Sequence, residues 1–209
     1  MQIEHDAIAR ALRAASLGPA RARLVQTGIG QAAILRTLHA QVRTHRPRLA
    51  ILAGVCGALA PVDDVPAIAR VIDEHGHTWT TGVGFNPAGV TLVAVDRIAA
   101  TPADKAALAT SARAAIVDME SHAFAAACET LALPWSIVRG VSDTPTQTLP
   151  HEVLDWVAPN GRTRSARAAW DLLRKPTLIP HIIAVLRRSS RVMPKVAARV
   201  LALVNEAHR

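Results

Sequence analysis

Apolar positions along this chain fall into two alternating kinds of run. Short stretches rich in apolar residues recur at Arg23 to Thr27, Leu49 to Ala53, Ala69 to Ile72, Val90 to Val95, Ala115 to Asp118 and Trp135 to Val141. Runs of that length, bounded by turn residues, read as strands. Between them apolar residues return every three or four positions, which predicts helices over Glu4 to Ala15, Gln31 to Thr44, Ala103 to Ala112, His122 to Leu131 and Arg164 to Leu173, with one or two more in the tail. Strands alternating with helices specify an α/β domain with a largely parallel sheet, not a sandwich or a bundle. Pro150, Pro159, Asn160 and Gly161 break the pattern after the last strand. The stretch from Thr144 to Thr163 therefore reads as a loop with a short helix, placed to border a site.

Length and composition narrow this picture. With 209 residues, half of them apolar, the chain can bury one substantial core and falls within the size of a single domain. Cys56 and Cys128 each lie inside an apolar run, so neither a disulfide framework nor a metal site is expected, and a reducing, cytoplasmic compartment fits. The N-terminus lacks the pattern of a secretory leader, and no apolar stretch reaches the roughly 20 residues needed to span a bilayer.

Charge changes the reading of the tail alone. Residues 162–209 hold 11 Lys and Arg against 2 Asp and Glu, while the remainder holds 13 against 14. Within the tail Ile179, Ile182, Ile183 and Leu186 are interleaved with Arg187, Arg188 and Arg191, and Val192, Val196 and Val200 follow at helical spacing. A basic amphipathic segment of this kind suits the anionic inner face of a membrane; the alternative is a stripe packed on the core with solvated arginines. On this reading the chain comprises a core over 1–161 and a helical tail over 162–209 that packs on or extends from the same domain. Nucleic acid is not an expected partner, because the sequence has no Tyr and only two Phe and so no stacking platform.

Open α/β sheets bind ligands at the carboxyl ends of their strands, and three such ends carry candidate chemistry. Thr27-Gly28-Ile29-Gly30 leads into a helix, where glycines admit a ligand to free N-terminal amides or simply make a turn. Ala53-Gly54-Val55-Cys56-Gly57-Ala58 would let a ring or a sugar lie against the sheet, or else permit close helix packing. Val117-Asp118-Met119-Glu120-Ser121 and Val138-Arg139-Gly140-Val141-Ser142-Asp143 place two carboxylates at neighbouring strand ends. An ionised carboxylate can accept from sugar hydroxyls while a protonated one donates to a leaving group. Against that, Glu120 could merely favour a helix start, and Asp143 could be a helix N-cap.

Taken together and in this order, from about Leu24 to Asp143, these strings resemble the superfamily of purine nucleoside phosphorylases and 5′-methylthioadenosine/S-adenosylhomocysteine nucleosidases. The resemblance implies a three-layer αβα domain around a central mixed, largely parallel sheet. It implies that Met119 and Glu120 hold the ribose, with Glu120 accepting from its 2′ and 3′ hydroxyls. It also implies that Asp143 is the general acid facing N7 of the purine, oriented by Ser142, and that Gly28, Gly30, Gly54, Val55 and Arg139 complete the substrate site. These residue types suit the chemistry. As the bond to the base lengthens, the ribose becomes oxocarbenium-like and the base gains negative charge, so both groups stabilise the transition state above the ground state. No cofactor is implied beyond phosphate as a co-substrate, and relatives assemble as homo-oligomers.

The run Ala100-Thr101-Pro102-Ala103-Asp104-Lys105-Ala106-Ala107-Leu108, the string Asp118-Met119-Glu120-Ser121-His122, and the tail residues Leu172-Leu173-Arg174-Lys175-Pro176 are similar to the hopanoid-associated subgroup. That implies removal of adenine from adenosylhopane, a lipid-linked nucleoside, and gives the basic tail a membrane to meet. Superfamily members begin with an apolar strand leading to a glutamate that activates water. This chain opens Met1-Gln2-Ile3-Glu4, so that strand is expected to be missing and Glu4 stands closest to the glutamate, with Asp6 its competitor. Leu52 and Val55 stand where phosphate-using relatives carry arginine and serine, which favours hydrolysis over phosphorolysis. Two other readings remain: a soluble methylthioadenosine or S-adenosylhomocysteine nucleosidase, and a catalytically silent nucleoside- or lipid-binding relative.

Overall fold

The computed structural model describes residues 2–15, 18, 21–84, 86–150, 156 and 164–208. Their element order is α1 (Gln2–Ala14), α2 (Gln31–Thr44), β1 (Ala50–Ala58), β2 (Ile68–Asp73), β3 (Thr78–Thr80), β4 (Val90–Ala94), α3 (Pro102–Ala112), β5 (Ile116–Asp118), α4 (Ser121–Thr130), β6 (Trp135–Asp143), α5 (Ser165–Arg174) and α6 (Ile179–Glu206), the last preceded by a 3₁₀ turn over Pro176–Leu178. The six strands form one sheet in the order β3-β2-β4-β5-β1-β6. The pairs β2 with β4, β4 with β5 and β1 with β6 are parallel; β1 with β5 and β2 with β3 are antiparallel. The sheet is thus mixed and mainly parallel, flanked by helices in a single α/β domain.

Period-two alternation decides which helices cover which face. Along β1, Leu52, Cys56 and Ala58 join a core with Ile34 and Leu38 of α2 and with Ala123 and Phe124 of α4. The intervening Ile51, Ala53 and Val55 pack instead with Ala7 and Ile8 of α1 and with Met193, Val196 and Val200 of α6. A third core, Val93, Val95 and Val117 with Leu108 and Ala112, seats α3. Trp135 to Asp143 is buried along its whole length, which is what an apolar strand needs when helices lie on both sides.

The structure departs from the sequence expectations in two places. Arg23 to Thr27, expected as a strand, joins no ladder; Ala22 and Leu24 pack beside α1 and α6, so their apolar side chains are partly buried without backbone pairing. Thr78–Thr80 forms the short edge strand β3, too brief and polar to register as a period. After α5 the tail holds one further helix, within the one or two expected; it is 28 residues long and runs through Pro194, carried across it by Val192, Met193, Val196 and Ala197, all buried. The short helix expected within Thr144 to Thr163 lies outside the described residues, apart from the buried Trp156.

Candidate active site

Two groups of polar side chains gather at the carboxyl end of β5 and along the second halves of β1 and β6. The first is organised by Asp118, which ends β5. Its Oδ1 accepts from the backbone N–H of Ser121 at 3.1 Å, and its Oδ2 accepts from the Ser121 hydroxyl. Asp118 thereby caps α4 and fixes the residue before the helix, Glu120. Glu120 occupies the N-cap position of α4 but makes no capping bond with its side chain. Its Oε1 instead accepts the backbone N–H of Gly30 at 2.8 Å, and its Oε2 lies 3.5 Å from Nη2 of Arg139. Gly30 starts α2 with φ at 85°, a conformation that glycine adopts without strain.

Arg139, buried on β6, ion-pairs with Asp118. It faces Gly54 across the β1–β6 ladder, and a side chain at Gly54 would put its Cβ 2.7 Å from Nη1 of Arg139 and 3.1 Å from Oε1 of Glu4. The missing side chain at Gly54 is therefore what admits both groups. Glu4, in the first turn of α1, accepts the backbone N–H of Val55 at 2.9 Å. Asp6, its competitor in the sequence, is exposed and lies 3.4 Å from His5.

Electrostatics follows from burial. Desolvation raises the pKa of Glu120 above the ordinary carboxylate value; Arg139 and the Gly30 amide oppose this, while Asp118 and Glu4 add to it. Burial pulls the Arg139 pKa down, but Asp118 and Glu120 outweigh it and hold the guanidinium above its ordinary value. The buried Cys56 thiol is pushed well above the usual range by desolvation, and it feels Arg139, Asp118 and Asp143 together.

The second group lies across Cys56 from the first. Between Cys56 and Gly57 the ladder shifts register, so that Val141 faces Cys56, Asp143 faces Gly57, and Ser142 is the extra residue. Such a bulge re-aims the side chains beyond it. Without it Asp143 would follow Arg139 and Val141 onto the α4 side; with it Asp143 sits over Gly57 and Val117, on the α3 side. The Ser142 hydroxyl is 3.0 Å from the Cys56 carbonyl and 2.9 Å from Oδ1 of Asp143, and can donate to one at a time. Oδ2 of Asp143 accepts from Nζ of Lys105. The described residues from Thr144 to Pro150 form no helix, so Asp143 caps none there.

Of the residues singled out in the sequence, Glu4, Gly30, Gly54, Val55, Glu120 and Arg139 thus meet in one cluster, and Ser142 with Asp143 in the neighbouring one. Met119 and Gly28 lie partly buried beside Glu120 and Gly30 in sequence. Asp143 is closed off from solvent, whereas Glu120 retains an opening. A cleft of about 290 Å³ between Val65, Ile68, Ser136, Val138, Arg199 and Leu203 is lined by none of the residues of either cluster. Among the described residues, no group of three or more His, Cys, Asp or Glu could hold a metal ion.

Sequence reasoning missed Asp118 as the organiser and Lys105 as the partner of Asp143. The signal for Lys105 was present: it lies on the face of α3 that carries Leu108, Ala109 and Ala112 into the core, and a lysine on an apolar stripe is rarely buried unless paired.

A model of the phosphorylase superfamily matches residues 84–174, a little under half of the chain. No curated protein matches it in sequence. Solved structures match at the level of the fold. A mutant methylthioadenosine nucleosidase of Helicobacter pylori, with 5′-methylthioadenosine in its active site, is 12% identical with a TM-score of 0.60, covering 85% of this chain and 77% of its own. Futalosine hydrolase of Helicobacter pylori is 13% identical at a TM-score of 0.60, over 85% of this chain and 76% of its own. The 5′-methylthioadenosine nucleosidase of Arabidopsis thaliana is 16% identical at 0.57, over 87% of this chain and 70% of its own.

Proposed function

We propose that this chain is a member of the phosphorylase superfamily that hydrolyses the N-glycosidic bond of an adenine nucleoside. The observation that carries the reading is the convergence of Glu4 and Glu120 around Gly54, Val55 and Arg139; Asp143 lies four residues beyond Arg139 on β6, opposite Gly57 of β1.

Each group has work suited to its surroundings. Glu120, held by the Gly30 amide and Arg139, accepts from the ribose hydroxyls and stabilises positive charge growing on the sugar. Glu4 takes a proton from the attacking water. Asp143, oriented by Ser142, is the proposed proton donor to the departing base, and its burial requires the site to rearrange when substrate binds. Leu52 and Val55 bring no side-chain donor for phosphate, which supports water as the nucleophile.

The finer part of the proposal is a lipid-linked substrate, adenosylhopane, met at a membrane surface. Trp170, Leu173, Ile179, Ile183 and Leu186 are exposed, Leu173 by 79%, beside Arg174, Lys175, Arg187 and Arg191. Arg174 lies 4.7 Å over the Trp170 ring. Apolar side chains flanked by cations complement an anionic bilayer. No helix among the described residues is long and apolar enough to cross a membrane, so contact would be peripheral.

The test is incubation with adenosylhopane, 5′-methylthioadenosine and inosine, with and without phosphate, following free base by chromatography. Adenine release that needs no phosphate is expected, fastest from the lipid-linked nucleoside when vesicles are present. Absence of base release from all three would overturn the reading.

A further inference from the structure

Lys105 is 1% exposed, and so is the Asp143 side chain it meets. An ammonium so placed is held only where its hydrogen bonds are satisfied, and here all three are: to Oδ2 of Asp143, to the Thr144 carbonyl at 2.7 Å and to the Gln147 carbonyl at 2.9 Å. Its position is built into α3. Thr101 and Asp104 form a reciprocal capping box with Pro102 at the first turn, and the Lys105 amide donates to the Thr101 carbonyl at 3.0 Å, fixing the lysine one turn into the helix.

This arrangement sits awkwardly with Asp143 acting alone as an acid. Oδ2 accepts from Lys105, and Oδ1 lies within reach of the Ser142 hydroxyl, so both oxygens are placed as acceptors and neither as a donor. Around the pair stand the Cys56 thiol of β1 and, beyond it, Asp118 and Arg139, which neutralise each other. Lys105 is the ammonium in hydrogen-bond contact with Asp143.

Resting on the nucleosidase reading above, we infer that Lys105 is a positioning residue and proton reserve for Asp143, so that the acid of this site is the Lys105–Asp143 pair. When the bond from C1′ to the base breaks, its electron pair stays on the base. Asp143 hands a proton to N7 as Lys105 supplies one across their hydrogen bond. The pair, which began as ammonium and carboxylate, ends as amine and carboxylate. The proton that water loses to Glu4 passes to solvent, and solvent reprotonates the amine before the next turnover.

The experiment compares adenine release from the nucleoside with nitrophenolate release from 4-nitrophenyl β-D-ribofuranoside, whose leaving group departs as a stable anion without a proton. For Lys105→Met the ratio of the two rates is expected to fall by about 10²-fold or more, the scale of general acid assistance. Equal loss on both substrates would make Lys105 merely structural and overturn the inference, as would no loss on either. If Lys105→Met fails to fold, the double variant Lys105→Met/Asp143→Asn, which leaves no unpaired buried charge, is compared with Asp143→Asn. Equal ratios for the two variants are expected of groups acting as one unit, and a further multiplicative loss would overturn the inference. A wild-type protein inert towards both substrates refutes the nucleosidase reading and this inference with it, whereas an active wild type whose Lys105 variants behave otherwise refutes only the inference.

Discussion

The carboxylate of Glu4, in the first turn of α1, accepts the backbone N–H of Val55 at 2.9 Å across 51 positions of chain. A helix thus delivers an acid to the second half of β1, whereas the superfamily resemblance implies a glutamate following a strand. Glu4→Gln keeps an oxygen for the Val55 amide but cannot take a proton from water. The variant should melt as the wild type does in circular dichroism and lose about 10²–10⁴ of its hydrolytic turnover. Unchanged adenine release would remove Glu4 from the mechanism.

Asp143→Asn should lower kcat for adenine release by a comparable factor; it removes the buried counter-charge of Lys105 but keeps the three hydrogen bonds, two to carbonyls and one to the amide oxygen, and so should be the milder of two substitutions here. Asp143→Leu should behave differently. It strands a buried ammonium beside an apolar group, which typically costs about 3–5 kcal/mol, and thermal unfolding should separate the two variants.

Glu120 gives a prediction with a definite sign. Its folded pKa is raised by burial, so it protonates at a higher pH than a free carboxylate and loses its full acceptor capacity there. The acid limb of kcat/KM should accordingly lie above 4.5, the ordinary glutamate value. The same shift fixes the stability effect. Between the unfolded and folded pKa values the folded chain binds a proton that the unfolded chain does not, so stability falls as pH rises through that window. Glu120→Gln should therefore be inactive yet melt higher than the wild type at neutral pH.

Gly140 tests how α6 sits on the sheet. A Cβ there would meet Cγ2 of Val192 at 2.7 Å and Cγ2 of Val196 at 2.8 Å, both in the rigid core of the helix. Gly140→Ala should cost about 1–3 kcal/mol by overpacking, which at this chain length is about 2–4 °C of Tm for each kcal/mol, read by calorimetry.

The exposed apolar residues of α5 and α6 predict binding to vesicles that contain phosphatidylglycerol, weaker with neutral lipid and weakened by salt. Leu173→Ser with Ile183→Ser should reduce flotation by about tenfold or more, since burying each such side chain contributes roughly 1.5–3 kcal/mol. If the wild type does not float, but the double variant changes its sedimentation from oligomer to monomer, the surface is an interface between copies.

Periodicity along the chain determined most of the architecture. Five of the six predicted strands and all five named helices lie where alternation and three-to-four spacing placed them, because burial on one face or both imprints those periods on the side chains. The same patterns found the strand ends beside Glu120 and at Asp143, but not that of β1, which runs past Gly54 to Ala58. What they left undecided was direction. A one-residue bulge at Ser142 sends Asp143 to the opposite side of the sheet from Arg139, and no period announces it. Nor could local pattern show that Arg139 is taken up by Asp118 and Glu120, that Glu4 rather than Asp6 reaches Val55, or that Lys105 meets Asp143. Each of these pairs joins elements distant along the chain, and the cost of burying their charges is met only by partners that tertiary packing brings within hydrogen-bond distance. The tail divides in the same way. Its basic amphipathic character was plain from composition, but only packing on β6 and α1 showed that Val192 to Leu203 belongs to the core while Ile179 to Leu186 stays largely exposed.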